Sequence, residues 1–190
     1  RIMAESHVKG TAINTLTSAF DDNQGVNFVV CDDEKIDQRI KALMAYSWEV
    51  CLLFGEVWLS DDKRACALLL HPDQKRSSLK SIWLDIRLII QVTGLTGIGK
   101  ILKREAQIKK IQPKGKSVYL WFIGVDPQYQ NRGYGSRLLK SIILSSEQKP
   151  IILETSTLKN LPWYQKFGFQ IYRQLDLGYT LYFLKRGPDN

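Results

Sequence analysis

Histidine and cysteine are scarce in this chain, and their scarcity removes whole classes of chemistry. His7 and His71 are the two histidines among 190 residues, too few to build a catalytic zinc centre from its usual nitrogen ligands. The three cysteines, Cys31, Cys51 and Cys66, are odd in number and sit inside apolar stretches. Neither a disulfide framework nor a zinc cluster uses that pattern, which fits a reducing compartment. No run approaches the roughly 18–20 uninterrupted apolar residues that a membrane span requires, so no metal and no membrane partner are expected. The N-terminus shows no charged segment followed by an apolar run, the mark of a signal peptide, and a cytoplasmic location is the expectation. A chain that opens at Arg1 rather than Met is expected to lack a few native residues.

What is present suits a packed core. Hydrophobic residues make up 44% of the chain and charged residues 24%, close to the averages for globular proteins. Without repeats or a low-complexity linker, 1–190 reads as one domain. The net charge is +8, with much of the excess between Lys75 and Lys116, where Trp83 is the one aromatic residue. Surfaces that stack nucleic-acid bases interleave aromatics with positive charge. A solvated basic helix is therefore favoured over attraction of an anionic small molecule, and nucleic acid ranks last.

Periodicity organises the chain. Val8 to Phe20 reads as a helix, broken by Asp21, Asp22, Asn23 and Gly25, with Arg1 to Ser6 a short strand before it. A second helix starts near Asp33 and carries Ile36, Ile40, Leu43 and Met44 at helical spacing. Glu56 to Ser60 and Ala65 to Leu70 form a hairpin around the polar turn Asp61-Asp62-Lys63-Arg64. From Leu79 to Val92 the stripe Leu79, Ile82, Trp83, Ile86, Ile89 and Ile90 marks the clearest helix. A basic helix from about Ile98 to Ile111 follows, and Pro113 stops it. Val118 to Val125 is a continuous apolar run, as in a strand buried on both faces. A helix from Gly135, a strand Ile151 to Thr155 and a short helix Leu161 to Lys166 come next. Two strands, Phe169 to Leu175 and Tyr179 to Lys185, turn at Gly178. The order implies an α/β sheet of mixed direction.

One constellation carries chemistry. The strand ending Ile123-Gly124-Val125 opens into Gln130-Asn131-Arg132-Gly133-Tyr134-Gly135, and that turn feeds a helix. The first N–H groups of a helix lack partners within it and carry partial positive charge, while glycines let backbone approach a pyrophosphate closely. Alone, the turn reads equally well as solvent-exposed loop. Downstream, Asn160-Leu161-Pro162-Trp163-Tyr164-Gln165-Lys166-Phe167-Gly168-Phe169 follows the next buried strand. Together these resemble the GNAT superfamily of N-acetyltransferases, whose Arg/Gln-x-x-Gly-x-Gly/Ala motif is met by Gln130, Gly133 and Gly135. Its Asn-x-x-x-Tyr…Gly-Phe segment is met by Asn160, Tyr164, Gly168 and Phe169. Leu153-Glu154-Thr155-Ser156 and Asn160-x-Pro162-x-Tyr164 are similar in particular to the branch containing puromycin acetyltransferases. The resemblance runs from about Tyr119 to Lys185; earlier residues share only element order.

The resemblance implies an α/β GNAT fold: a mixed, mostly antiparallel central sheet flanked by helices, with a helical insertion before the cofactor-binding strand. Residues 114–190 would be the half that binds acetyl-CoA, and 1–113 would carry acceptor-side helices. Backbone groups of Phe122, Ile123, Gly124 and Val125 would pair with the pantetheine arm. The turn from Gln130 through Asn131, Arg132, Gly133, Tyr134 and Gly135 to Ser136 would hold the pyrophosphate. Asn160 would fix the pantetheine, or it caps the short helix. Tyr164 would protonate the departing thiolate, or it is a core aromatic. Glu154 and Glu56 are candidates for the base that deprotonates the acceptor, with a water relay as a third route. The implied reaction is acetyl transfer from acetyl-CoA to a primary amine of a small molecule or peptide, by direct attack in a ternary complex, in a monomer or homodimer. The rival is a non-catalytic CoA-binding or nucleic-acid-binding module on the same fold.

Gly94-Leu95-Thr96-Gly97-Ile98-Gly99-Lys100 meets the first seven positions of a nucleotide-binding P-loop. Ile101 stands where Ser or Thr should hold magnesium, and the preceding segment has helical rather than strand periodicity. These glycines are expected to join two helices.

Overall fold

The computed structural model describes residues 6–30, 33–146 and 149–187. The strand expected over Arg1 to Ser6 lies almost entirely outside them. Three helices open the fold: α1 (Ser6–Phe20), α2 (Gln24–Val29) and α3 (Ile36–Phe54). Asn23, read from sequence as a breaker, also starts α2, because its side-chain oxygen accepts the Val26 N–H at 3.1 Å. Asn favours this position since it satisfies a donor that the first helical turn leaves orphaned.

The hairpin β1 (Gly55–Leu59) and β2 (Ala65–Leu70) is followed by α4 (Leu79–Leu88), a π-type turn at Ile89–Thr93, and α5 (Gly94–Ile111). Ser78 and Ser81 start α4 with a reciprocal capping box, which satisfies two orphan donors at once. The glycines of the P-loop-like segment lie in α5, directly after helical backbone. A phosphate loop of that kind needs a strand before it, so the segment is a helix junction. Strand β3 (Val118–Val125), α6 (Tyr134–Ser145), β4 (Ile151–Thr155), α7 (Leu161–Lys166), β5 (Gln170–Asp176) and β6 (Thr180–Arg186) complete the chain.

The strands form one sheet in the order β1-β2-β3-β4-β6-β5, antiparallel at every pair except β3–β4. One core lies between this sheet and α1 with α3, around Leu16, Met44, Trp48, Leu68 and Phe122. A second core lies on the other face beneath α6 and α7, around Leu120, Leu139, Ile142, Leu153 and Phe169. Ile108 of α5 packs on Leu181 and Phe183 of β6. The result is a three-layer α/β/α arrangement, with α5 covering part of the face that α1 and α3 cover.

Strand β3 is packed on both faces: Val118 and Leu120 lie in the core beneath α6, Phe122 and Gly124 lie against the α1–α3 side, and the residues between them are partly buried. In α4, Ser81 and Leu84 are buried against the body, whereas Leu79, Ile82, Trp83 and Ile86, with Ile90 of the π-type turn, are exposed.

Candidate functional site

The site is a fork in the sheet. Parallel pairing between β3 and β4 covers only Val118↔Ile151 and Tyr119↔Ile152, although β3 runs on to Val125 and β4 to Thr155. Its local cause is an extra residue in β3. Leu68 faces Phe122 while the next β2 residue, Leu69, faces Leu120, so Trp121 is bulged. A bulge bends its strand and ends pairing, and Trp121 stands two residues past Tyr119 of the last parallel pair.

The fork leaves a specific set of backbone groups uncommitted to the sheet. Asp126 N–H donates to the Arg64 carbonyl at 2.9 Å, and the Ala65 carbonyl, opposite Val125, turns away to accept from Ser60. Antiparallel strands alternate hydrogen-bonded and non-bonded pairs. Phe122 and Gly124 therefore use their backbone groups on β2, and Ile123 and Val125 turn theirs into the fork. Of the four residues singled out in this strand, these two offer N–H and C=O. Gly124 instead backs onto Leu16 and Ala19 of α1, which a side chain there would strike at 2.9–3.1 Å.

At the open end of the fork stands the turn from Gln130 to Ser136. Asn131 and Gly133 both take positive φ, 61° and 81°, the left-handed region that Gly occupies without a steric penalty. Gly133 is the N-cap of α6, and the first bond inside the helix runs from Arg137 N–H to the Gly133 carbonyl. The N–H groups of Tyr134, Gly135 and Ser136 precede that bond and have no partner in the helix. Gly135 is packed against β3: a Cβ there would lie 3.1 Å from Val125 Cγ2. Three guanidiniums surround the turn. Arg64 lies over the Tyr129 ring at 4.0 Å and donates to Tyr134 Oη, Arg132 lies 5.4 Å from the Tyr129 ring, and Arg137 lies 4.6 Å from the Tyr134 ring. Gln130 projects an exposed side chain whose Nε2 is 3.5 Å from the Val125 carbonyl.

Helix α7 closes the α6 side. Trp163 Nε1 donates to Ser136 Oγ at 3.0 Å, joining α7 to the turn. Tyr164 is buried against Trp163 and Phe169, burial pushes its hydroxyl pKa up, and that hydroxyl makes no hydrogen bond to another described residue. Asn160 occupies the N-cap of α7 but makes no capping bond. The capping alternative is thereby corrected: an αR backbone at this position (φ −87°, ψ −15°) departs from the extended geometry that side-chain capping uses.

On the other face of the fork, Glu154 is the charged residue of β4. Its carboxylate accepts from Gln112 Nε2 at 2.8 Å and from Tyr119 Oη at 3.0 Å. Burial raises its pKa, and the Gln112 and Tyr119 hydrogen bonds oppose that rise. Leu153 points into the core containing Tyr164, so strand alternation puts Glu154 and Tyr164 on opposite faces. Nothing in the sequence reading pointed to Tyr119 or Gln112; a Tyr at the first turn of an apolar strand carries no motif, and Gln112 reaches Glu154 only because α5 folds back over the sheet. Glu56 stands apart. It sits on β1, two strands from β3, held by Trp58 Nε1 at 2.9 Å and 3.2 Å from His71 Nε2. It lines a separate polar cavity with Gln74, Ser146 and Lys149.

Residues 92–171 match the family model described as an acetyltransferase (GNAT) domain. Over 60 residues the chain is 43% identical to an uncharacterized N-acetyltransferase of Schizosaccharomyces pombe; the match takes in 30% of this chain and 24% of that protein, about a quarter of the relative's length. Among solved structures, one titled histone acetyltransferase HPA2 and related acetyltransferase, from Corynebacterium glutamicum, superposes with a TM-score of 0.71 at 17% identity, covering 98% of this chain and 94% of that one. An N-acetyltransferase from Staphylococcus aureus Mu50 gives 0.56 at 15% identity, covering 96% and 97%. At such identities the superpositions establish the fold, and the chain has the GNAT fold throughout the described residues.

Proposed function

We propose that this chain transfers an acetyl group from acetyl-CoA to a primary amine, by direct attack within a ternary complex. The observation that carries the reading is the fork itself, with unpaired backbone on β3, orphan N–H groups at its mouth, and Tyr164 and Glu154 on opposite faces. The pyrophosphate is received by the N–H groups of Tyr134, Gly135 and Ser136, reinforced by charge from Arg132 and Arg137. Pantetheine pairs with the Ile123 and Val125 backbone, and Asn160 contributes its uncommitted amide. A β3 N–H facing the fork polarises the thioester carbonyl and holds the oxyanion, a contribution of about 3–4 kcal/mol where a single such donor is removed.

The amine approaches from the face bearing Glu154. Its lone pair attacks the thioester carbon, forming the C–N bond, and the C–S bond breaks with its electrons on sulfur. The amine proton passes to the Glu154 carboxylate, directly or through water, while Tyr164 Oη protonates the departing thiolate. A base whose pKa is raised works nearer neutral pH, which supports Glu154, and Glu56 lies two strands away from β3. The thiols of Cys51 and Cys66 are buried, with pKa values pushed up by desolvation, which supports direct attack over a covalent acetyl-cysteine at either. Within the family, Leu153-Glu154-Thr155-Ser156 and Asn160-x-Pro162-x-Tyr164 favour the branch containing puromycin acetyltransferases.

The test is thiol release from acetyl-CoA across a panel of small-molecule and peptide amines, alongside calorimetric titration with CoA. Saturable CoA binding with amine-dependent thiol release is expected. Binding without release on any amine favours the non-catalytic module, and no binding overturns the assignment.

A further inference from the structure

Helix α4 seats the wrong face on the protein, by the ordinary logic of amphipathic helices. Its apolar stripe recurs at i, i+3, i+4, i+7 and i+11, the pattern that normally marks the buried side. Here Leu79 is 89% exposed, Trp83 57% and Ile90 67%, with Ile82 and Ile86 about half-exposed. The contacts to the body come from the opposite side: Ser81 and Leu84 are buried, and Tyr46 Oη of α3 donates to Asp85 Oδ1 at 2.7 Å. Five large side chains three and four residues apart are neighbours on a helix surface. They make one continuous apolar ridge, and contiguous apolar patches on soluble proteins mark contact sites.

What surrounds the ridge selects the occupant. Lys75 and Arg76 are exposed just before α4, and Lys80 and Arg87 flank its apolar arc, Lys80 also reaching Glu49 Oε2 at 3.6 Å. Arg87 lies 5.5 Å from the Trp83 ring, at the border between charge and apolar surface. Two copies meeting through this ridge would bring like-charged borders together, and that repulsion disfavours a homodimer. The ridge is a convex single helix rather than a groove, so it suits a deformable apolar layer beneath an anionic surface. A short helix with Trp, Leu and Ile on one face and basic residues beside them is the composition that lies in a membrane interface. No single helix among the described residues is long and apolar enough to cross a membrane; an interfacial contact needs no such length. The sequence expectation of no membrane partner rests on spanning length alone and does not bear on this contact.

We infer that the outward face of α4 docks the protein on an anionic lipid surface, with Leu79, Ile82, Trp83, Ile86 and Ile90 inserted and Lys80 and Arg87 at the headgroups. Vesicle co-sedimentation tests it, using phosphatidylcholine vesicles with and without phosphatidylglycerol. The whole chain is expected to bind the anionic vesicles at least tenfold more tightly than the neutral ones, and less as salt rises. Trp emission should shift to the blue on binding, and Trp83→Phe should lose most of that shift. The exposed pair Ile82→Glu and Ile86→Glu should lower binding at least tenfold while leaving the thermal melt and CoA affinity unchanged. Absence of binding to anionic vesicles, equal binding to neutral ones, or binding untouched by the double substitution overturns the inference. So does a concentration-dependent dimer that the same double substitution dissociates, since the ridge would then belong to a second copy.

Discussion

Glu154 holds a carboxylate between two donors, Gln112 and Tyr119, yet burial still lifts its pKa above the ordinary value of 4.5. The sign of the consequence follows from linkage. A carboxyl with a raised folded-state pKa binds more protons folded than unfolded across the interval between the two pKa values, so stability falls as pH rises through that interval. Glu154→Gln removes the titration while keeping the shape. Thermal melts should show the variant gaining on the wild type as pH rises from about 4.5 toward neutral, and kcat/KM should lose its rising acid limb. Tyr164 answers to a different readout. Tyr164→Phe should lower kcat by about 10²–10⁴, the range of general-acid contributions, with CoA affinity nearly intact; unchanged turnover removes the acid role. Asn160→Ala should raise KM for acetyl-CoA with a melting temperature close to wild type, because no capping bond is lost. A motif fixes the spacing of Tyr164 and Asn160, which makes them candidates in the sequence alone. Tyr119 and Gln112 are not legible there, since their bonds to Glu154 arise from a contact between distant segments.

Among the elements, the fork depends on a one-residue irregularity. The apolar run from Val118 to Val125 marks a strand, and α6 after the glycine turn is equally plain, because periodicity and turn chemistry are local signals. The bulge at Trp121 is not, for a bulged residue in an apolar run looks like any other. Its effect is to place Tyr119, Trp121 and Phe122 against the α1–α3 side while Leu120 and Ile123 face α6. The hydrophobic stripe of α4 marks a helix without fixing how it sits, since periodicity reports a face and not what covers it. At the mouth of the fork, Gly133 carries the backbone at φ 81°, where a β-branched residue is strained. Gly133→Val should lower CoA affinity by at least tenfold, measured by calorimetry, through loss of the N–H geometry at the start of α6. Retained affinity would count against the phosphate-binding role of the turn.

For the whole molecule, the net charge of +8 and the Arg64, Arg132 and Arg137 cluster create a field that draws in an anionic ligand. Such steering is screened by salt over about 10 Å at 0.1 M ionic strength. The association rate of CoA should therefore fall as ionic strength rises, more steeply than its dissociation rate changes. In the proposed reaction the two faces of one sheet take the two substrates, with α6 and α7 on the donor side and α1, α3 and α5 on the acceptor side. Backbone amide chemical shifts during a CoA titration test that arrangement without knowledge of the acceptor. Saturable perturbations concentrated at Ile123, Val125, Tyr134, Gly135 and Ser136 are expected. Perturbations centred instead on the cavity of Glu56 and His71, or no saturable change at all, would contradict that arrangement.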